Sequence, residues 1–272
     1  MQKRAVTTTF LHILFSLTLI ASAVSMAKPA NAIIAGPPVI DGISAFQSNG
    51  RPVRVDMFVP RDQEHPLPAV VLLHGASGIG GGHLIYAMAE ALAETGLAVF
   101  AVHYFDGIAR GNRASVSRYY ERDNIIADAI DYVSSLHFVD SNRIGLFGYS
   151  LGAFQALERA HQDPRIRAVV VAAGGLDGRR SRDQLAFMPP TLMLHGERDG
   201  IVSVRRAHQV AQVLEAIGAP YELEITRGTA HVPRGQVFDF WMSRAAAFFH
   251  ENLTPLESYS TQTVLLRTPP RR

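Results

Sequence analysis

The stretch Arg143-Ile144-Gly145-Leu146-Phe147-Gly148-Tyr149-Ser150-Leu151-Gly152 decides the fold. Its first half is an apolar run of the kind that forms a buried strand. Beyond it, Leu151, Ala153, Phe154, Ala156 and Leu157 recur at helical spacing. Between the two lies G-x-S-x-G, the pattern of a sharp strand-to-helix turn that presents a serine hydroxyl. Such a turn is strained, and Gly148 and Gly152 let strand and helix approach closely around Ser150. The Leu151 N–H, at the positive end of the helix, is then a candidate donor to a developing oxyanion.

Working outward, strands and helices alternate. Val39 to Phe46 and Val53 to Val59 read as two strands whose imperfect alternation predicts a half-buried, antiparallel start. Residues 60–68 hold three prolines and read as a loop. Ala69 to Leu73 and Ala98 to Val102 are continuous apolar runs, hence central strands, with a helix around Leu84 to Glu94 between them. Ile125, Ile126, Ala129, Ile130, Val133 and Leu136 mark an amphipathic helix before the serine turn. After it come strands at Ala168–Ala173, Thr191–Leu194 and Tyr221–Ile225, and helices at Val204–Ile217 and Val237–Phe249, the former closed by Gly218. This order predicts an α/β fold with a mostly parallel twisted sheet of about eight strands and helices on both faces. Ligands of such sheets bind beyond the carboxyl ends of the strands.

The ends of the chain read differently. Lys3 and Arg4 precede an apolar run from Phe10 to Val24, and Ala30-Asn31-Ala32 offers an A-x-A cleavage site, with Ser25-Met26-Ala27 a second. Residues 1–32 are therefore expected to be a signal peptide, with the protein exported to a periplasm or beyond. An uncleaved anchor is the alternative, but the run is short for a bilayer span. Residues 33–253 form the expected domain, and 254–272, rich in Ser, Thr and Pro, an expected disordered tail. Loss of Lys3, Arg4 and Lys28 moves the formal charge from +2 to −1. The basic balance of the whole chain is thus no argument for nucleic acid as a partner. With 0 cysteines there is no disulfide and no thiolate metal site. No stable membrane insertion is expected after cleavage, and the oligomeric state is open.

A serine hydroxyl needs a base to accept its proton, and the base needs an orienting acid. Leu194-His195-Gly196-Glu197-Arg198-Asp199 leaves Asp199 just past one strand, and Gly228-Thr229-Ala230-His231 leaves His231 just past the next. With 11 histidines in the chain, His231 stands out by its place between Gly228 and Pro233 after the final strand. Ser150, Asp199 and His231 are the expected catalytic residues, in chain order. Glu197 is the alternative acid, and Asp199 could instead cap the following helix. His74-Gly75-Ala76-Ser77-Gly78 follows a central strand, so the Ala76 N–H is assigned as second oxyanion donor beside Leu151. His74 itself has no partner at metal-ligand spacing and reads as structural. Tyr104, Phe105 and Tyr149 are the candidate pocket walls. No cofactor or metal is needed for this chemistry.

On these motifs the chain resembles the α/β-hydrolase superfamily. From about Val53 to His250 it is most similar to the dienelactone-hydrolase-like branch. The resemblance rests on Leu72-Leu73-His74-Gly75, on Asp140-Ser141-Asn142-Arg143-Ile144-Gly145 running into Gly148-Tyr149-Ser150-Leu151-Gly152, on Leu194 to Asp199, and on Thr229-Ala230-His231. It implies an α/β-hydrolase fold and hydrolysis through an acyl-enzyme. The enzymes that name the branch carry a cysteine nucleophile where this chain has Ser150. The expectation is therefore a general serine esterase acting on a small-molecule ester rather than a dienelactone hydrolase in the narrow sense. A peptidase or amidase, or an acyltransferase, would use the same three residues, and a non-catalytic binding protein on this fold would not need them. Residues 174–190 are too few for a lid domain. A shallow site for small or compact esters follows.

Overall fold

A computed structural model describes residues 39–61, 66–80, 83–109, 111–177 and 187–253. The expected signal peptide and cleavage sites, the C-terminal tail, and the arginines at 179, 180 and 182 lie outside the described residues. Strands β1 (Val39–Ser48) and β2 (Arg51–Val59) open the fold. They are followed by β3 (Leu67–Leu73), helix α1 (Leu84–Ala93), β4 (Ala98–Val102) and α2 (Tyr119–Ser134). Then come β5 (Val139–Tyr149), α3 (Leu151–Ala160), β6 (Ile166–Ala172), β7 (Thr191–Gly196), α4 (Arg205–Ile217), β8 (Tyr221–Thr226) and α5 (Gln236–Leu253).

The eight strands form one sheet in the order β1-β2-β4-β3-β5-β6-β7-β8. The pairs β1–β2 and β2–β4 are antiparallel and all others are parallel. This is the mostly parallel α/β sheet expected from the pattern, antiparallel start included, and the α/β-hydrolase fold that the resemblance implied. Alternate residues of the central strands feed two cores. Ala69, Val71 and Leu73 join α2, α3 and α4 on one face, while Val70 and Leu72 join α1 and α5 on the other. Burial on both faces is why these strands read as unbroken apolar runs. Phe147 and Trp241, both fully buried, are among the large side chains that contribute most, at about 1.5–3 kcal/mol each for a buried apolar side chain.

Several boundaries differ from expectation, β5 beginning at Val139 and α5 running to Leu253, and two of them have a local cause. The loop read over 60–68 ends sooner, because β3 starts at Leu67 and takes Pro68 into the strand. The Leu67 N–H donates to Phe138 O at 2.8 Å. The β3–β5 register then shifts before Ala69, so proline falls where the ladder is irregular. Helix α2 starts at Tyr119, ahead of its apolar stripe, through a 3-10 turn at Val116–Arg118 that Ser115 caps.

The chain runs from β3 to β4 on one side and then crosses to β5 on the other. The carboxyl ends of β3 and β5 are neighbours at this reversal, with Leu73 opposite Gly148. The turns beginning at His74 and at Ser150 therefore meet at the switch point where open parallel sheets bind ligands.

Candidate active site

Ser150 sits between β5 and α3 with φ +53° and ψ −117°, a backbone region that L-residues rarely adopt. Its N–H donates to Ala172 O at 2.9 Å, which holds the strained turn against β6. As the N-cap of α3 its hydroxyl makes no capping bond, so Oγ is left for other partners. Gly152 makes the turn feasible: a Cβ there would lie 2.1 Å from Leu73 O. The next residue along β6, Ala173, also has a positive φ of 52°, a strain that nothing in an alanine announces.

Asp199 and His231 reach Ser150 from the ends of β7 and β8. The acid loop and the histidine loop touch because Gly196 has no side chain, since a Cβ there would lie 2.4 Å from Thr229 O. The Arg198 N–H donates to the same Thr229 O at 2.8 Å. Asp199 Oδ1 accepts the Ile201 and Val202 N–H groups, both at 2.8 Å. Asp199 thus turns its own loop and does not cap α4. Its Oδ2 lies 2.7 Å from His231 Nδ1, and His231 Nε2 lies 2.9 Å from Ser150 Oγ. Burial pushes the Asp199 carboxyl up, but the bonds from His231, Val202 and Ile201 outweigh it and hold it below its usual value. An ionised carboxylate only accepts, so His231 Nδ1–H donates to it and Nε2 is left to accept the Ser150 O–H. Glu197, the alternative acid, instead accepts the Gly228 N–H at 2.8 Å and ties down the loop that leads to His231.

His195 is a neighbour that sequence reasoning left without a role. It is buried, with Nε2 donating to Val202 O at 2.8 Å and lying 3.3 Å from Asp199 Oδ2. Burial lowers its pKa, so it braces the acid loop as a neutral ring. Its spacing to Asp199, four residues on across a strand end, carried no signal.

The turn after β3 closes with the Gly78 N–H donating to Gly75 O at 3.1 Å. His74 braces it: Nδ1 donates to Gly75 O at 2.7 Å, and the ring stacks on Tyr104 at 4.0 Å between centroids. Burial lowers the His74 pKa to about 4, so the ring is neutral and structural. Ala76 lies on this turn, facing a cavity of about 480 Å³ that Ser150, His231, Leu84, Ile85 and Tyr149 also line. Leu151 opens α3, so its N–H has no partner one turn back. Among the described residues neither the Ala76 nor the Leu151 N–H has a hydrogen-bond acceptor.

The expected wall residues divide. Tyr149 lines the cavity, and its hydroxyl donates to His231 O at 3.2 Å. Burial, with Asp199 nearby, raises that hydroxyl's pKa to about 12, so it stays a donor. Tyr104 does not line the cavity: it is fully buried, with its hydroxyl donating to His74 O at 2.6 Å. Phe105 is also outside the lining. It packs edge-on against His74 and behind Gly78. Both aromatics support the turn from beneath. The cavity wall uses Ile201 and Val232, exposed residues that no motif marked.

No group of three or more His, Asp or Glu side chains poised to hold a metal occurs among the described residues. Among them, too, no helix is long and apolar enough to cross a membrane.

Comparison with known proteins places this site in a family. The model of the dienelactone hydrolase family matches residues 53–233. A 31.7 kDa protein from the traX-finO intergenic region of Escherichia coli is 32% identical over 135 residues, covering 49% of this chain and 42% of that protein. The hydrolase LUC6 of a Fusarium species is 32% identical over 136 residues, or 47% of this chain and 32% of that one. The chain thus spans less than half the length of these curated relatives. Among solved structures, the dienelactone hydrolase-like promiscuous phosphotriesterase P91 from metagenomic libraries superposes with a TM-score of 0.70 at 16% identity, over 78% of this chain and 98% of that one. Est1E from Butyrivibrio proteoclasticus gives 0.65 at 18%, with the same coverage. These structural similarities speak for the fold alone, whereas the family match spans well over half of the sequence and includes Ser150, Asp199, His231 and the turn from His74 to Gly78. The chain belongs to the dienelactone hydrolase family.

Proposed function

We propose that this hydrolase is an exported serine esterase that cleaves small or compact carboxylic esters through Ser150, His231 and Asp199. The observation that carries the reading is the line of hydrogen bonds from Asp199 through His231 to Ser150, which ends in an open cavity beside two backbone N–H groups that have no acceptor among the described residues. Ser150 Oγ attacks the ester carbonyl while His231 Nε2 takes its proton. The carbonyl oxygen becomes an oxyanion, and the Ala76 and Leu151 N–H groups donate to it. Collapse breaks the bond to the alcohol, whose oxygen receives the proton back from His231. Water, deprotonated by the same nitrogen, then attacks the acyl-enzyme and frees the acid. Asp199 keeps the imidazole in the tautomer that this sequence needs.

The cavity volume of about 480 Å³ suits a compact acyl group. Export rests on the charged start and apolar run of residues 1–32. A p-nitrophenyl ester panel tests the reading. We expect a burst of nitrophenol equal to the enzyme concentration, and kcat/KM that falls from acetate and butyrate to palmitate, with no jump at a lipid–water interface. A preference for palmitate, or hydrolysis of anilides faster than of the matching esters, contradicts it. N-terminal sequencing of protein recovered from the host should begin after residue 27 or 32, and a start at Met1 refutes cleavage.

A further inference from the structure

A second cavity of about 570 Å³ adjoins the first at His231. It shares Ile201, His231, Val232 and Arg234 with the first but contains neither Ser150 nor any residue of the Gly75–Gly78 turn. Ala230 and Val237 complete its apolar wall. Ile201 is 74% exposed and Val232 39% exposed. One exposed aliphatic side chain is unremarkable, but two that flank a histidine at a cavity mouth, with a third apolar residue inside, make a binding surface. The Ile201 backbone is anchored by the turn that orients the acid, its N–H donating to Asp199 Oδ1 at 2.8 Å.

The reaction geometry says what belongs there, on the reading of the protein as an ester hydrolase. The carbonyl oxygen must point at the turn after β3, which lines only the first cavity. The leaving oxygen must lie within reach of His231 Nε2, because that nitrogen returns its proton. An ester seated this way keeps its acyl half beside Ser150, Leu84 and Ile85, and its alcohol half passes His231 into the second cavity. We infer that the Ile201–Val232–Val237 cavity is an alcohol-side subsite, and that the substrates are esters of bulky apolar or aromatic alcohols joined to a compact acyl group. Val237, on the first turn of α5 and away from the reacting atoms, is its specificity-determining residue.

Two ester series on purified mature protein test this. One varies the alcohol of an acetate through methyl, phenyl and 1-naphthyl. The other varies the acyl group of a methyl ester through acetyl, butyryl and hexanoyl. Each variant is compared with wild type on each ester, so the intrinsic reactivity of the leaving groups cancels. Enzyme concentration is set by fluorophosphonate titration, so misfolded protein does not count. Val237→Trp should lower kcat/KM for 1-naphthyl acetate relative to methyl acetate by about tenfold or more, while the acyl series keeps its wild-type slope. Val237→Phe should shift the same ratio less, which covers failure of the tryptophan variant to fold. Leu84→Trp should do the reverse, steepening the acyl series and sparing the alcohol series. If Val237→Trp steepens the acyl series, or neither Val237 variant moves the naphthyl-to-methyl ratio in enzyme that still titrates, the subsite assignment is overturned and the esterase reading stands. If wild type neither titrates nor hydrolyses any of these esters, the esterase reading fails and takes the subsite with it.

Discussion

Two histidine–aspartate pairs stand in opposite halves of the sheet, one past β7 and β8 and the other between β2 and the end of β4, and they are nearly identical in length. His231 Nδ1 lies 2.7 Å from Asp199, and His103 Nε2, just past β4, lies 2.6 Å from Asp56 on β2. Their difference lies in the second ring nitrogen. In His231 it faces the Ser150 hydroxyl at the wall of an open cavity. In His103 it lies 2.9 Å from the Arg54 guanidinium, whose Nε is 3.0 Å from the other ring nitrogen. A guanidinium offers protons and accepts none. Asp56 also accepts the Tyr86 hydroxyl at 2.7 Å. Burial pushes the Asp56 carboxyl up, and the bonds from His103 and Tyr86 with the nearby Arg54 charge outweigh it, so its pKa is lowered. A short bond to a carboxylate therefore does not make a histidine a base. On the proposed reading the first pair serves proton transfer, whereas the second closes a polar gap between β2 and β4.

Exchanging the pairs in mutagenesis should separate them. The largest effect is expected for His231→Ala, with kcat falling on the order of 10⁶-fold and Ser150→Ala/His231→Ala costing little more, because members of such a unit fail together. His103→Ala should keep kcat near wild type and lose melting temperature instead. Steady-state kinetics and thermal melts that rank the two variants the other way would break the comparison. Among the acids, Asp199→Asn should cost on the order of 10⁴-fold in kcat by leaving the wrong tautomer. Asp56→Ala should cost about 3 kcal/mol of stability, by stranding the buried partners of a broken pair. Denaturant titration beside kinetics reads both.

His74 sharpens the contrast through pH. Its pKa is lowered from 6.5 to about 4 in the folded protein. The unfolded chain therefore binds the extra proton first as pH falls. The stability associated with a neutral His74 is complete above pH 6.5 and drains away toward pH 4, by about 3 kcal/mol in all. His74→Phe should flatten that acid limb in melts recorded across pH. An unchanged limb would mean that the ring is not the group responsible. The smallest effect is expected for Glu197→Gln, whose exposed bond to the Gly228 N–H contributes less than about 1 kcal/mol. It should barely change kcat, and a loss rivalling that of Asp199→Asn would transfer the role of orienting acid to Glu197.

Much of this was legible in the sequence, for reasons that also mark where legibility stops. Strands buried on both faces must be continuous apolar runs, so Ala69–Leu73, Ala98–Val102 and Arg143–Phe147 declared themselves. The G-x-S-x-G turn and the acid and histidine that follow later strands were readable because each falls at a carboxyl end. Orientation was not readable. Tyr104 stands two residues past β4, where strand alternation no longer says which way a side chain points, and its ring turned inward to stack on His74. Asp56 and His103 are 47 residues apart, and only the strand order brings them together. Asp199 and Glu197 carry the same chemistry two positions apart, and only the backbone turn at Ile201 and Val202 distinguishes them. Ile201 and Val232 carry no motif, and their place at the cavity mouth follows from the tertiary structure alone.

The central claim, that Ser150 is a nucleophile activated by His231 and not by any other histidine, is tested most directly by the rate of fluorophosphonate labelling. Intact mass and peptide mapping read one adduct and its position. The account predicts a single adduct on Ser150 in wild type, labelling at the same rate in His103→Ala, and labelling slowed by orders of magnitude in folded His231→Ala. An adduct elsewhere, no adduct on folded wild type, or loss of labelling in His103→Ala with retention in His231→Ala would contradict it.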